Sequence, residues 1–253
     1  MKIERRGYGD KVKLGRWSEQ DLDRMLAAAA RIRVTGKRIA FLSAQFLGVA
    51  YRESALIGAT NAREILVINL EALDCFTYLD YVEAMRLSDS FISFKEMVRR
   101  VRYRNGDVGY ITRNHFFTDW IERNSLVNDV TAAVGGTNAR VIQKRLNDRG
   151  EGKYLVDGIE PVQRVITFIP ARAIDNEVIR QLRTGDYIGI YSGKKGLDVS
   201  HVGIIIKKNL TSYFRHASSL GSQRKVIDQD FRTYTASKPG IVILRPTKQS
   251  EYQ

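Results

Sequence analysis

Asn69-Leu70-Glu71-Ala72-Leu73-Asp74-Cys75-Phe76-Thr77-Tyr78 contains the only cysteine of the 253-residue chain. The apolar run Ile65-Leu66-Val67-Ile68 precedes it. Beyond it Phe76, Leu79, Val82 and Met85 recur at a spacing of three, flanked by Tyr78 and Tyr81. That periodicity predicts a helix from about Cys75 to Ser88, with Asp74 where an N-cap belongs. A cysteine in the first turn of a helix feels the positive end of the dipole, which favours the nucleophilic thiolate. First-turn N–H groups lack helical partners and can donate to an oxyanion forming beside the sulfur. The other reading of a lone cysteine is a small buried core residue.

Towards the N-terminus, Met1 to Arg16 reads as a polar, basic arm. Ser18-Glu19-Gln20-Asp21 opens a helix whose stripe is Leu22, Met25, Leu26, Ala29 and Ile32, with Gly36 as its end. The apolar stretch from Ile39 is expected to be helical through Phe46. Residues 1–37 then form an N-terminal helical arm, and 38–253 the main domain. Towards the C-terminus, Phe91 to Tyr103 predicts a second helix. It closes on a run from Arg99 to Arg104 that either grips an anion or is a solvated helix end. Alternation is expected from Asp129, broken at Gly135-Gly136, and Ala139 to Leu146 reads as strand or short helix. Val162 to Ile169 is a strand, and Asp175 to Leu182 a short helix. Tyr187–Tyr191, Val199–Ile206, Thr211–Ser218 and Ile241–Leu244 are strands with short connections, which means antiparallel packing. The class is therefore α+β.

Two of the three histidines fall on one expected hairpin. With Lys207 to Leu210 as its loop, Ile206 faces Thr211, and counting back places His201 directly opposite His216. Directly opposed side chains have Cβ atoms about 4.5–5.5 Å apart, within reach of one another. One imidazole can then orient the other by fixing which nitrogen carries the proton.

The net charge of +13 points to an acidic partner: nucleic acid, anionic membrane or anionic wall polymer. No recognised nucleic-acid motif is present, so nucleic acid is not the expected partner. One cysteine excludes an intrachain disulfide framework and multi-cysteine metal sites, and no H-E-x-x-H pattern occurs. No metal or cofactor is expected. The longest apolar run near the N-terminus, Met25 to Ala30, is too short to span a bilayer, and no leader is legible.

Three segments, Leu73-Asp74-Cys75, Gly196 to Ile205 and Phe214 to Ser219, together resemble the NlpC-type cell-wall cysteine hydrolases. The resemblance is closest to the N-acetylmuramoyl-L-alanine amidase-like branch and runs from about Phe46 to Pro246. It implies a papain-like fold, with a helical N-terminal part carrying the nucleophile packed on the C-terminal sheet. It implies Cys75 as nucleophile, His201 as base and His216 as its orienter. Tyr51, Asp74, Arg113, His115, Asp198 and Ser200 become candidate substrate-binding residues. Ala50 stands where the family often has proline before the tyrosine. The implied substrate is peptidoglycan or a muropeptide, and the bond is either the muramoyl–L-alanine amide or the γ-D-glutamyl bond to the diamino acid. A cell-wall binder without activity is the alternative in another class. Such a protein belongs in the periplasm or cell envelope, reached through a removed leader or a secretion system.

Overall fold

The computed structural model describes residues 9–54, 56–123 and 126–247. Met1 to Tyr8 of the expected arm therefore lie outside the described residues. Four helices lead the chain: α1 Glu19–Ala30, α2 Thr35–Ala44, α3 Cys75–Arg86 and α4 Phe91–Arg102. Four shorter ones follow: α5 Asp119–Arg123, α6 Thr131–Gly135, α7 Asn176–Gln181 and α8 Phe231–Thr235. The main sheet comprises β1 Val127–Asp129, β2 Arg140–Leu146, β3 Val162–Pro170, β4 Tyr187–Tyr191, β5 Val199–Lys208, β6 Thr211–Ala217, β7 Val226–Asp230 and β8 Gly240–Pro246. Its order is β7-β6-β5-β4-β8-β3-β2, with β1 beside β8, and every pairing is antiparallel.

Alternation along the central strands sends successive side chains to opposite faces. Tyr187, Val202, Ile204, Ile206, Val242 and Leu244 join the core formed with the leading helices. Ile188, Ile190, Ile205, Phe214, Ile241 and Ile243 pack instead on Val134 of α6, Val178 of α7 and Phe231 of α8. The sheet thus carries helices on both faces. Leu22, Leu26 and Ala29 of α1 share the first core with α3, and residue 37 lies inside α2.

Four local expectations are corrected. Gly36 does not end α1; it lies in the first turn of α2, where a Cβ would stand 2.1 Å from the Thr184 carbonyl oxygen. Part of the arm is ordered, because Lys11–Lys13 pairs in parallel with Val67–Asn69. Thr131 starts a helix rather than an alternating stretch. The arginine run divides: Arg99 binds Asp10 at 2.6 Å, Arg100 meets Glu96 at 3.3 Å, and Arg102 is buried.

Helix α3 is not the one-sided stripe that its spacing predicts, since every residue from Thr77 to Arg86 is buried. Its charges are paired inside, as burial demands. Arg102 Nε donates to Asp80 at 2.7 Å and its Nη1 to the Val67 carbonyl at 2.6 Å. Arg86 clasps Glu83 through two bonds of 2.7 and 2.5 Å, and the Tyr187 hydroxyl adds a third at 2.7 Å. These bonds fix α3 against α4 and the sheet, and with them the position of its first residue.

The hairpin register also differs from expectation. Lys208 pairs with Thr211, so only Asn209 and Leu210 form the turn. Asn209 has φ of +54°, a left-handed conformation that asparagine tolerates and a two-residue hairpin requires. The strands are longer by that margin, and the pairing shifts by two. Extended past Ile204↔Arg215, the register puts His216 across from Gly203, so the histidines are diagonal neighbours. A shift of two keeps every side chain on its face.

Candidate active site

Cys75 is the first residue of α3, and the cap organises the turn around it. Asp74 Oδ1 accepts from the N–H groups of Phe76 and Thr77 at 3.0 and 2.7 Å, while Thr77 Oγ1 accepts from the Asp74 N–H at 3.0 Å. This leaves the N–H of Cys75 itself outside the cap. Tyr51 is held beside the cysteine because Ala50–Tyr51 pairs in parallel with Ala72–Leu73. Cys75 is half-buried as a residue, and its sulfur accepts from the backbone N–H of Val202, the residue after His201.

A β-bulge sets the aim of that histidine. Ile190 faces His201 but Tyr191 faces Val199, so Ser200 is the extra residue. Such an insertion bends the strand and redirects its neighbours. The Nε2 of His201 lies 2.7 Å from His216 Nδ1, and His216 Nε2 lies 2.7 Å from Gln229 Oε1. The amide oxygen only accepts, so with neutral rings the direction of the whole relay follows. His216 donates from Nε2 and accepts at Nδ1; His201 donates from Nε2 and keeps its lone pair on Nδ1. Gly203 provides the room: a Cβ there would stand 2.5 Å from the Phe214 ring, which stacks on His216 at 4.8 Å.

The electrostatics correct the expected thiolate. Burial, and then the Asp74 charge, push the Cys75 thiol up to about 12. The N–H groups of Val202, Cys75 and Phe76 pull the other way and lose. Burial, with the charges of His216 and Lys238, pushes His201 down to about 3, and burial pushes His216 down to about 4. The resting pair is thiol and neutral imidazole. Asp74→Asn keeps an acceptor for the cap but removes the charge, so faster alkylation of Cys75 at pH 8 is expected. An unchanged rate contradicts that role for Asp74.

The histidines also carry a stability consequence. An unfolded histidine titrates near about 6.5, well above both folded values. As pH falls below that point, the unfolded chain takes up protons that the folded chain does not. Stability should be full above about pH 6.5 and decline as acid approaches the lowered values. Thermal melts of the wild type and of His216→Gln test this, the variant losing less between pH 7 and pH 5.

Three of the remaining candidates are held by internal partners. Arg113 is clasped to Glu64, which also accepts from the Tyr103 hydroxyl at 2.7 Å. His115 Nε2 lies 2.8 Å from the Tyr110 carbonyl oxygen, and its backbone N–H donates to Asp119. Asp198 is buried and accepts from the Thr118 N–H and hydroxyl at 2.8 and 2.9 Å. Ser200 is exposed. Phe116, Phe117 and Trp120 are core. The structure therefore gathers Cys75, Asp74, Tyr51, His201 and His216, and adds two residues that sequence reasoning missed. One is Gln229, opposite Phe214 on β7. The other is Tyr234, whose ring lies 5.0 Å from His216 and whose phenol is raised to about 12 by burial and by the charge of Cys75. A polar residue on the strand beside His216 is the only signal that pointed to Gln229; Tyr234 had none.

Among curated proteins, none matches the chain in sequence. A Legionella pneumophila protein of the family DUF1460 is similar in structure, with a TM-score of 0.75 and 24% identity over 91% of this chain and 96% of that one. Two structures of an N-acetylmuramoyl-L-alanine amidase from Bacteroides uniformis give TM-scores of 0.69 and 0.71 at 25% and 24% identity, each covering 85% of this chain and 99% of the other. The AmiA-like family profile, described as N-acetylmuramoyl-L-alanine amidase-like, matches residues 41–241. The chain belongs to that AmiA-like, N-acetylmuramoyl-L-alanine amidase-like family.

Proposed function

We propose that the chain is a papain-like cysteine amidase of peptidoglycan that cleaves the bond between N-acetylmuramic acid and L-alanine. The observation that carries this reading is the relay Gln229–His216–His201, which leaves a free lone pair on Nδ1 of His201, the residue before Val202, whose backbone N–H reaches the sulfur at the start of α3. The family description supplies the substrate class.

In the proposed reaction the Cys75 proton passes to His201 Nδ1 as the sulfur attacks the lactyl carbonyl carbon. Because the resting thiol is protonated, transfer and attack are concerted. The Cys75 N–H and the Tyr51 hydroxyl stabilise the oxyanion. The C–N bond breaks, and the imidazolium returns its proton to the leaving amine. Water, deprotonated by His201, then attacks the thioester, releasing the lactyl carboxylate and restoring the thiol. The net charge of +13 suits an anionic wall polymer in the periplasm or cell envelope.

Digestion of purified muropeptides followed by mass measurement tests the reading. A free lactyl carboxylate is expected. A product ending in D-glutamate would assign the γ-D-glutamyl endopeptidase activity instead, and wall binding without cleavage would assign a binding protein. With His201 near 3 and the thiol near 12, kcat/KM should be flat from about pH 5 to about pH 8. An acid limb near about pH 6.5 would contradict the neutral pair.

A further inference from the structure

Tyr234 lies on α8, and Lys238 follows shortly after that helix. The Tyr234 ring centroid is 5.0 Å from His216, 6.3 Å from His201 and 4.7 Å from Phe214. Lys238 Nζ stands 5.0 Å from the centroid of the same ring. Both residues are half-buried. Two other half-buried lysines are saturated: Lys144 Nζ donates to the carbonyls of Ser192, Lys194 and Leu197, and Lys207 Nζ to those of Ile179, Arg180 and Leu182, whereas Lys95 stands only over the Phe91 ring, far from the histidines in sequence. Among the described residues, the Lys238 ammonium has no carboxylate or carbonyl partner, and the Tyr234 hydroxyl has no hydrogen bond. The ammonium also opposes protonation of both imidazoles. That placement disfavours a general base, which must become cationic during the reaction, unless an anion covers the ammonium.

We infer that Lys238 and Tyr234 form a carboxylate subsite beside the catalytic histidines, selecting amide substrates that carry a free carboxylate near the bond cut. The inference rests on the amidase reading and deepens it. The ammonium pairs with the carboxylate, and the phenol donates a second hydrogen bond. Neutralising Lys238 in this way removes its opposition to the imidazolium, so the substrate's own charge prepares the base.

Calorimetric titration of the Cys75→Ala protein reads the subsite without turnover. The probes are N-acetylmuramoyl-L-alanine, whose alanine carboxylate is free, and N-acetylmuramoyl-L-alaninamide, which has no carboxylate. About tenfold tighter binding of the acid is expected, the size of one charge-assisted contact. The preference should vanish in Cys75→Ala/Lys238→Met and shrink in Cys75→Ala/Tyr234→Phe, which keeps the ring packing on His216. Equal binding of acid and amide, a preference that survives Lys238→Met or Lys238→Gln, or no binding of either probe overturns the subsite. The amidase reading is tested separately, by cleavage with the wild type.

Discussion

Cys75→Ala is expected to lower muropeptide hydrolysis by about ten-thousand-fold or more, the scale on which removal of a catalytic nucleophile acts. The side chain is small and half-buried, so its loss should cost about 1 kcal/mol or less of stability. Activity and folding therefore separate in this variant. His201→Ala should fall to a similar residual rate, and combining the two should add little, because nucleophile and base act as one unit. Loss in His216→Gln should be smaller, since that residue orients the base through a 2.7 Å bond rather than exchanging the proton with substrate. Initial rates of amine release, with thermal melts on the same preparations, measure all of this. A Cys75→Ala protein retaining a tenth of the rate would remove the sulfur from the mechanism.

The largest stability effect is expected at Glu83. Its carboxylate is fully buried on α3 and accepts two bonds from Arg86 and one from Tyr187. Alanine there leaves a buried guanidinium without its counter-charge and a buried phenol without its acceptor. Breaking a buried pair in this way costs about 3–5 kcal/mol, against a typical total of about 5–15 kcal/mol. Urea titration should show the midpoint falling steeply. Glu83→Gln keeps an acceptor for Tyr187 and should lose less. A midpoint unchanged in Glu83→Ala would mean that the network does not hold α3.

Some of this architecture is legible from residue order, and the division follows the range of the forces involved. Asp74 as cap and Cys75 as first helical residue are local features, readable within a few positions. The two histidines share a face although the expected register is off by two, because strand faces repeat with that period. The turn itself depended on Asn209 adopting a left-handed backbone, which lets two residues do the work expected of four. The ionisation of Cys75 is different in kind. The helix dipole is a local rule, whereas the burial that outweighs it comes from the core packed around Cys75, whose residues are drawn from the whole chain. Arg113, His115 and Asp198 look available in sequence, since nothing there names Glu64, Tyr110 or Thr118 as their partners. Gln229 and Tyr234 carry no motif and reach the site only when β7 and α8 fold beside His216.

The central claim is that the chain's one sulfur does the chemistry beside His201, and alkylation tests it without ambiguity because no second cysteine can react. The protein is treated with iodoacetamide for graded times, and activity on muropeptides is compared with the mass increment on the peptide containing Cys75. Activity falling in proportion to modification, to nothing at one carbamidomethyl group per chain, is the predicted result. Full activity with Cys75 quantitatively alkylated would contradict it.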